Sequence, residues 1–158
     1  MNDRLYHKLF LISTFGIAMG LLETIIVVYL RMIPVVTNSF NLPLIPNFPV
    51  ELMPIEQSRE TATIVMLISF ALLIGNTRWE RLAVFLWVFA IWDIFYYIFL
   101  FLLIGWPSSI FAMDVVFLIP IKWYVPVWLA LIVMIVFLIN SFYIFRKKVN
   151  YSLDKNCK

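Results

Sequence analysis

Cysteine, histidine and charge are what this sequence has least of. There is one cysteine, Cys157, and one histidine, His7. A single thiol cannot build a disulfide framework, and thiolate or imidazole metal sites have no ligand set to draw on. The Glu-x-x-His pair of di-iron bundles is missing too. Charged residues make up only 13% of the 158, against about 25% in a soluble domain. What fills the space is apolar: 64% hydrophobic and 18% aromatic residues, with a mean hydropathy of +0.98. Such a chain cannot cover its own core with polar surface, which excludes a soluble globular protein, and its long apolar runs exclude disorder. A net charge of +3 would suit a nucleic-acid binder, but the bases gather at the ends of apolar segments and form no polar face. No nucleic-acid partner is expected; the partner is the lipid bilayer.

A spanning helix needs about 20 mostly apolar residues. Residues 9–30, 82–104 and 125–145 meet that requirement directly. Thr61–Ile74 alone would give roughly 21 Å of helix, so the second span must begin near Ile55, just after Pro54 at a favoured first position. The third starts cleanly, because Thr77-Arg78-Trp79-Glu80 fits a capping box. Gly75 and Asn76 before it suit a helix end, which makes spans two and three a tight antiparallel hairpin. The apolar stretch of the first span is too long for the h-region of a signal peptide and is read as retained.

The expected architecture is all-α: a four-transmembrane-helix bundle forming a single membrane domain over 1–158 (spans 9–30, 55–74, 82–104 and 125–145), with a cytoplasmic tail over 146–158. Residues 31–54 hold five of the eight prolines and should be extended. Ser108 and Ser109, the apolar run Ile110–Ile119 and then Pro120 suggest a short interfacial or re-entrant helix between helices three and four. Trp106, Trp123, Tyr124 and Trp128 would flank it as an aromatic belt. Arg4, Lys8, Arg78, Arg81, Arg146, Lys147, Lys148, Lys155 and Lys158 fall on one side, and Arg31, Arg59 and Lys122 on the other. Nine against three places both termini in the cytoplasm of a multi-pass protein of the cell membrane.

Against this background some charges are out of place. Glu23 lies within the first span, Asp93 midway along the third, and Glu60 and Glu56 enter with the extended second. A carboxylate at mid-bilayer costs at least about 2.5–3.5 kcal/mol, so such groups face a protein interior or a wet cavity. Helical steps of three and four align Gly16, Gly20, Glu23 and Val27, and likewise Ala90, Asp93, Tyr96 and Tyr97. The pair Gly16-x-x-x-Gly20 permits close helix approach, within the chain or in a homo-oligomer. Glu56, Arg59, Glu60 and Thr63 share a third face, where Arg59 can bridge Glu56 and Glu60, and Asp114 can close the group from above. The candidate ligand- or cation-binding residues are thus Glu23, Glu56, Arg59, Glu60, Asp93, Tyr96, Tyr97 and Asp114. The acids outnumber their one nearby base, Arg59, so a proton or a cation is called for. An all-oxygen site of Glu23, Glu60 and Asp93 would suit a hard cation, and proton binding needs no special geometry.

The strings Pro54-Ile55-Glu56-Gln57-Ser58-Arg59-Glu60, Trp92-Asp93-Ile94-Phe95-Tyr96-Tyr97, Gly105-Trp106-Pro107-Ser108-Ser109 and Phe117-Leu118-Ile119-Pro120 resemble a family of small prokaryotic multi-pass membrane proteins. The resemblance covers roughly residues 10–130 and implies no activity, so no functional residue is carried over. From the residues, binding or transport of a proton, cation or small cationic ligand comes first. A membrane-embedded enzyme acting on a lipid-like substrate is the alternative, though Ser58, Ser108 and Ser109 have no histidine partner on their side. An accessory subunit of a larger complex is the third reading. Neither a cofactor nor a catalytic residue is singled out.

Overall fold

The computed structural model describes residues 2–32, 53–118 and 122–156. The proline-rich connection, expected to be extended, falls on 33–52, outside the described residues, as do Pro120 and Cys157. Four helices dominate: α1 (Asn2–Met32), α2 (Met53–Ile74), α3 (Arg78–Ile104) and α4 (Val127–Asn156). Each contains a stretch long and apolar enough to cross a membrane: Leu5–Leu30, Met53–Ile74, Arg78–Ile104 and Val127–Lys147. Large apolar side chains such as Leu73, Leu102 and Ile139 point outward. In water that exposure would be ruinous; in hydrocarbon it is neutral, and it marks the lipid-facing sides of a multi-pass bundle.

Helix α3 is central and packs against α1, α2 and α4. It meets α1 through the two glycines of the first span. A Cβ on Gly20 would stand 2.8 Å from the Trp92 carbonyl oxygen, and one on Gly16 would stand 2.9 Å from Ile91. This small-residue face is therefore filled by α3 of the same chain. Polar groups pin the same seam where apolar packing has no water to escape from. The buried Thr24 hydroxyl donates to the Gly20 carbonyl at 2.7 Å, with the Tyr96 carbonyl at 3.2 Å. The Trp87 indole donates to Ser13 at 2.8 Å. On the far side of α3, the buried Ser141 hydroxyl of α4 donates to the Ala83 carbonyl at 2.6 Å. Phe15 of α1 and Phe70 of α2 stack with ring centroids 4.1 Å apart.

The short link between α2 and α3 has the expected cap chemistry with one variation. Thr77 is extended and its hydroxyl accepts the Glu80 N–H at 3.2 Å. The Glu80 carboxylate reaches back past the cap to the Asn76 N–H at 3.1 Å and pairs with Lys8 of α1. Lys8 also donates to the Ile74 carbonyl at 3.1 Å, a terminal acceptor of α2. One lysine thus ties the start of α1 to both neighbouring helix ends. At the other end of α3, Gly105 adopts the left-handed conformation (φ 68°) that closes a helix, its N–H on the Phe101 carbonyl at 2.9 Å.

The connection from α3 to α4 departs from the expected short helix over Ile110–Ile119. Instead, Met113–Phe117 (β1) pairs antiparallel with Trp123–Pro126 (β2), with Asp114 opposite Val125, Val115 opposite Tyr124 and an irregularity between Val115 and Phe117. Three causes favour strands. Valines and aromatics dominate both segments, and these side chains suit a pleated ribbon. Ser109, read as a helix cap, closes a turn instead: its carbonyl accepts the Ala112 N–H and its hydroxyl the Phe111 N–H. Finally, the N–H groups of Val127 and Trp128, orphans at the start of α4, find the Ala112 and Ile110 carbonyls. A helix over 110–119 would have kept those carbonyls for itself. The belt also needs one amendment. Trp123, Tyr124 and Trp128 are exposed, but Trp106 is buried against Tyr97, with ring centroids 6.1 Å apart.

Candidate functional site

The end of the bundle beneath the β-hairpin contains a cavity of about 100 Å³, lined by the last turns of α1, the first turns of α2, the second half of α3 and strand β1. All eight residues singled out in the sequence line it: Glu23, Glu56, Arg59, Glu60, Asp93, Tyr96, Tyr97 and Asp114. Helical spacing explains part of this. Glu56, Glu60 and Thr63 occupy the buried face of α2. Glu23 rides on the same face of α1 as Gly20, which is held tightly to α3. Asp114 arrives by a different route, on a strand whose position helical periodicity could not specify.

The internal pairings differ from those expected. Arg59 does not bridge Glu56 and Glu60. Its Nε donates to Glu56 at 2.8 Å and its Nη1 pairs with Glu23 across the gap between α2 and α1. Glu60 instead accepts the Leu118 N–H at 3.1 Å on both carboxylate oxygens, just beyond β1. A backbone donor at the hairpin end captures Glu60, which leaves the guanidinium for Glu23. Gln57 adds a longer contact from its amide to the Leu118 carbonyl at 3.4 Å. Tyr97 donates its phenol to Asp114 at 2.8 Å, so Asp114 is held as a lining group of the roof. Tyr96 lies against Tyr97 with ring centroids 5.3 Å apart.

Asp93 is the exception. Its Oδ2 is shielded from solvent and has no hydrogen-bond partner among the described residues. The neighbouring Trp92 is 8% exposed, lines the same cavity, and its indole N–H is likewise unpartnered. An ionised carboxylate so placed carries a desolvation penalty that no ion pair among the described residues offsets. Among the described residues five carboxyl groups line the chamber against one guanidinium; Lys122, on the connection above, is exposed. The hard-cation site of Glu23, Glu60 and Asp93 does not assemble, for among the described residues no three acids converge closely enough to hold a metal ion.

Trp92 and Leu118 line the chamber as well, and neither is among the eight residues that the sequence singles out. Trp92 could have been marked by its place next to a mid-span acid. A backbone N–H carries no sequence signal. No family model, curated protein or solved structure matches this chain.

Proposed function

We propose that the protein is a multi-pass protein of the cell membrane, both termini cytoplasmic, whose acidic chamber opens toward the outer side and binds or transports a small cationic species. The observation that supports this reading is the imbalance of the chamber among the described residues: five carboxyl groups, one guanidinium already shared by Glu23 and Glu56, and an Asp93 Oδ2 with no donor. Such a lining has low affinity for anions and favours whatever brings positive charge into it. The geometry gives the lipid-enzyme alternative little to work with. Arg59, its candidate phosphate anchor, is engaged by two carboxylates, and the Ser58 hydroxyl is turned back onto the Pro54 carbonyl at 2.7 Å.

The test compares wild type with Glu23→Gln, Asp93→Asn and the double variant as purified protein. Thermal unfolding is followed across pH and with added monovalent, divalent and organic cations. A ligand of the folded state raises the midpoint by mass action. Stabilisation by a cation or by protons that is reduced in either variant and lost in the double supports the reading. Identical responses in all four proteins would remove it. Reporter fusions at both termini test the orientation.

A further inference from the structure

We propose that the outward face of α4 is a seam for a second copy of this chain, closed inside the membrane by hydrogen bonds between the Asn140 amides of the two copies. The glycine face of α1, the first candidate for such a seam, is already filled by α3. Helix α4 has a side left over. Its Met134, Ser141 and Phe145 are buried within the chain, whereas Leu129, Val133, Val136, Asn140 and Tyr143 are exposed. These five lie at steps of four, three, four and three along the chain. That alternation lets two helices interlock at a shallow crossing angle, in lipid as in water. The inference is independent of the chamber.

Asn140 commits this face to a protein occupant. It lies about 10 Å along the helix from Lys147, inside the apolar stretch Val127–Lys147. Its side-chain amide donates to the Val136 carbonyl at 2.8 Å. An asparagine amide has two N–H donors and a carbonyl acceptor. The second N–H and the Oδ1 have no partner among the described residues, and lipid tails offer neither donor nor acceptor. The exposed Thr14 and Thr61 differ, because each places its single donor on its own helix, at the Phe10 and Gln57 carbonyls. What Asn140 lacks is what a second Asn140 supplies: under a two-fold axis the free N–H of each copy meets the free Oδ1 of the other. Copies inserted in the same orientation hold this residue at the same depth. A parallel pair about an axis along the membrane normal therefore brings the amides together, and one asparagine in an otherwise apolar seam fixes its register. A different chain would need a polar group at the same depth on a matching face.

The experiment measures association of the full-length protein in liposomes. Energy transfer is read between copies labelled with donor or acceptor dye at Cys157, the one cysteine. Transfer should fall along a monomer–dimer curve as lipid is added, and Asn140→Leu should weaken the dimer about tenfold. Contact is tested by mild oxidation of Val136→Cys and Ile135→Cys, each with Cys157→Ser. Both positions are exposed, but Val136 is one turn from Asn140 on the seam and Ile135 is about 140° away around the helix. A disulfide-linked dimer is expected from Val136→Cys and not from Ile135→Cys. Unchanged helix content and a cooperative melt show that each variant is folded. Monomers at every dilution would mean that lipid or another protein covers the face, and would overturn the proposal. A dimer of unchanged strength in Asn140→Leu overturns it as well, as does cross-linking of Ile135→Cys as efficient as that of Val136→Cys.

Discussion

Glu23 of α1 and Arg59 of α2 form an ion pair across the chamber, their side chains only 14% and 24% exposed, and the same guanidinium holds Glu56 one turn back on its own helix. Arg59 is therefore the neutralising centre of the α1–α2 interface. Arg59→Met should cost about 3–5 kcal/mol, toward the low end because the pair is not fully enclosed, since it strands two carboxylates at once. Adding Glu23→Gln and Glu56→Gln should recover most of that loss. Chemical denaturation of the single and triple variants measures both effects. Equal stability of Arg59→Met and wild type would show that the pair contributes nothing.

Asp93 should behave in the opposite way. Its Oδ2 has no donor among the described residues, so Asp93→Asn removes a charge that those residues do not compensate. The unliganded variant is expected to be more stable than wild type by about 1–3 kcal/mol, while losing the cation response. A gain in stability coupled to lost binding is the signature of a group retained for function. Unfolding without added cation is the measurement, and a clearly destabilised Asp93→Asn contradicts it.

Two side chains latch the hairpin to the helices. Glu60 accepts the Leu118 N–H and Tyr97 donates to Asp114. Glu60→Leu and Tyr97→Phe should each speed amide exchange over residues 113–126 and leave the first half of α1 unchanged. Each should cost about 1–3 kcal/mol for the polar partner left behind. Exchange read by mass spectrometry tests this, and uniform acceleration along the chain would mean that these contacts support the whole bundle.

The glycines separate close approach from backbone conformation. At Gly20 an added Cβ would meet the Trp92 carbonyl at 2.8 Å, whereas at Gly105 it would meet nothing within 4 Å but would sit at φ 68°. Gly20→Ala should cost about 1–3 kcal/mol by forcing α1 off α3. Gly105→Ala should cost about 1–2 kcal/mol from left-handed strain alone. Of the two, Gly20→Ala is the one expected to disturb cation binding, because Gly20 packs against Trp92 and Tyr96 at the α1–α3 seam beside the chamber, whereas Gly105 meets nothing within 4 Å. Titration of the two variants with the same cations decides.

How far the sequence could be read depended on how local each cause is. The Thr77–Glu80 cap lies within one turn, and its partners are neighbours in the chain. The alignment of Gly16 and Gly20 follows from 3.6 residues per turn, although only packing revealed that α3 of the same chain fills that face. Asp114 stands out in the sequence by its charge, but the strand that carries it does not. Its segment is short, and a run of ten apolar residues between a serine and a proline suits a short helix as well as a ribbon. The ribbon won because its backbone groups found partners in β2 and at the start of α4, residues far along the chain.

By itself the sequence determined that four segments of this chain are too apolar and too long for water, and that acids occur where hydrocarbon would reject them. Those are sums over composition and periodicity, insensitive to how the helices meet. Tertiary structure alone decided the pairings: Arg59 with Glu23 and not Glu60, Glu60 with a backbone N–H, Tyr97 with Asp114, and Asp93 Oδ2 with no donor among the described residues. Hydrogen bonds and ion pairs act only over a few ångströms, so which acid is left unmatched depends on where the hairpin docks, and no local pattern encodes that distance.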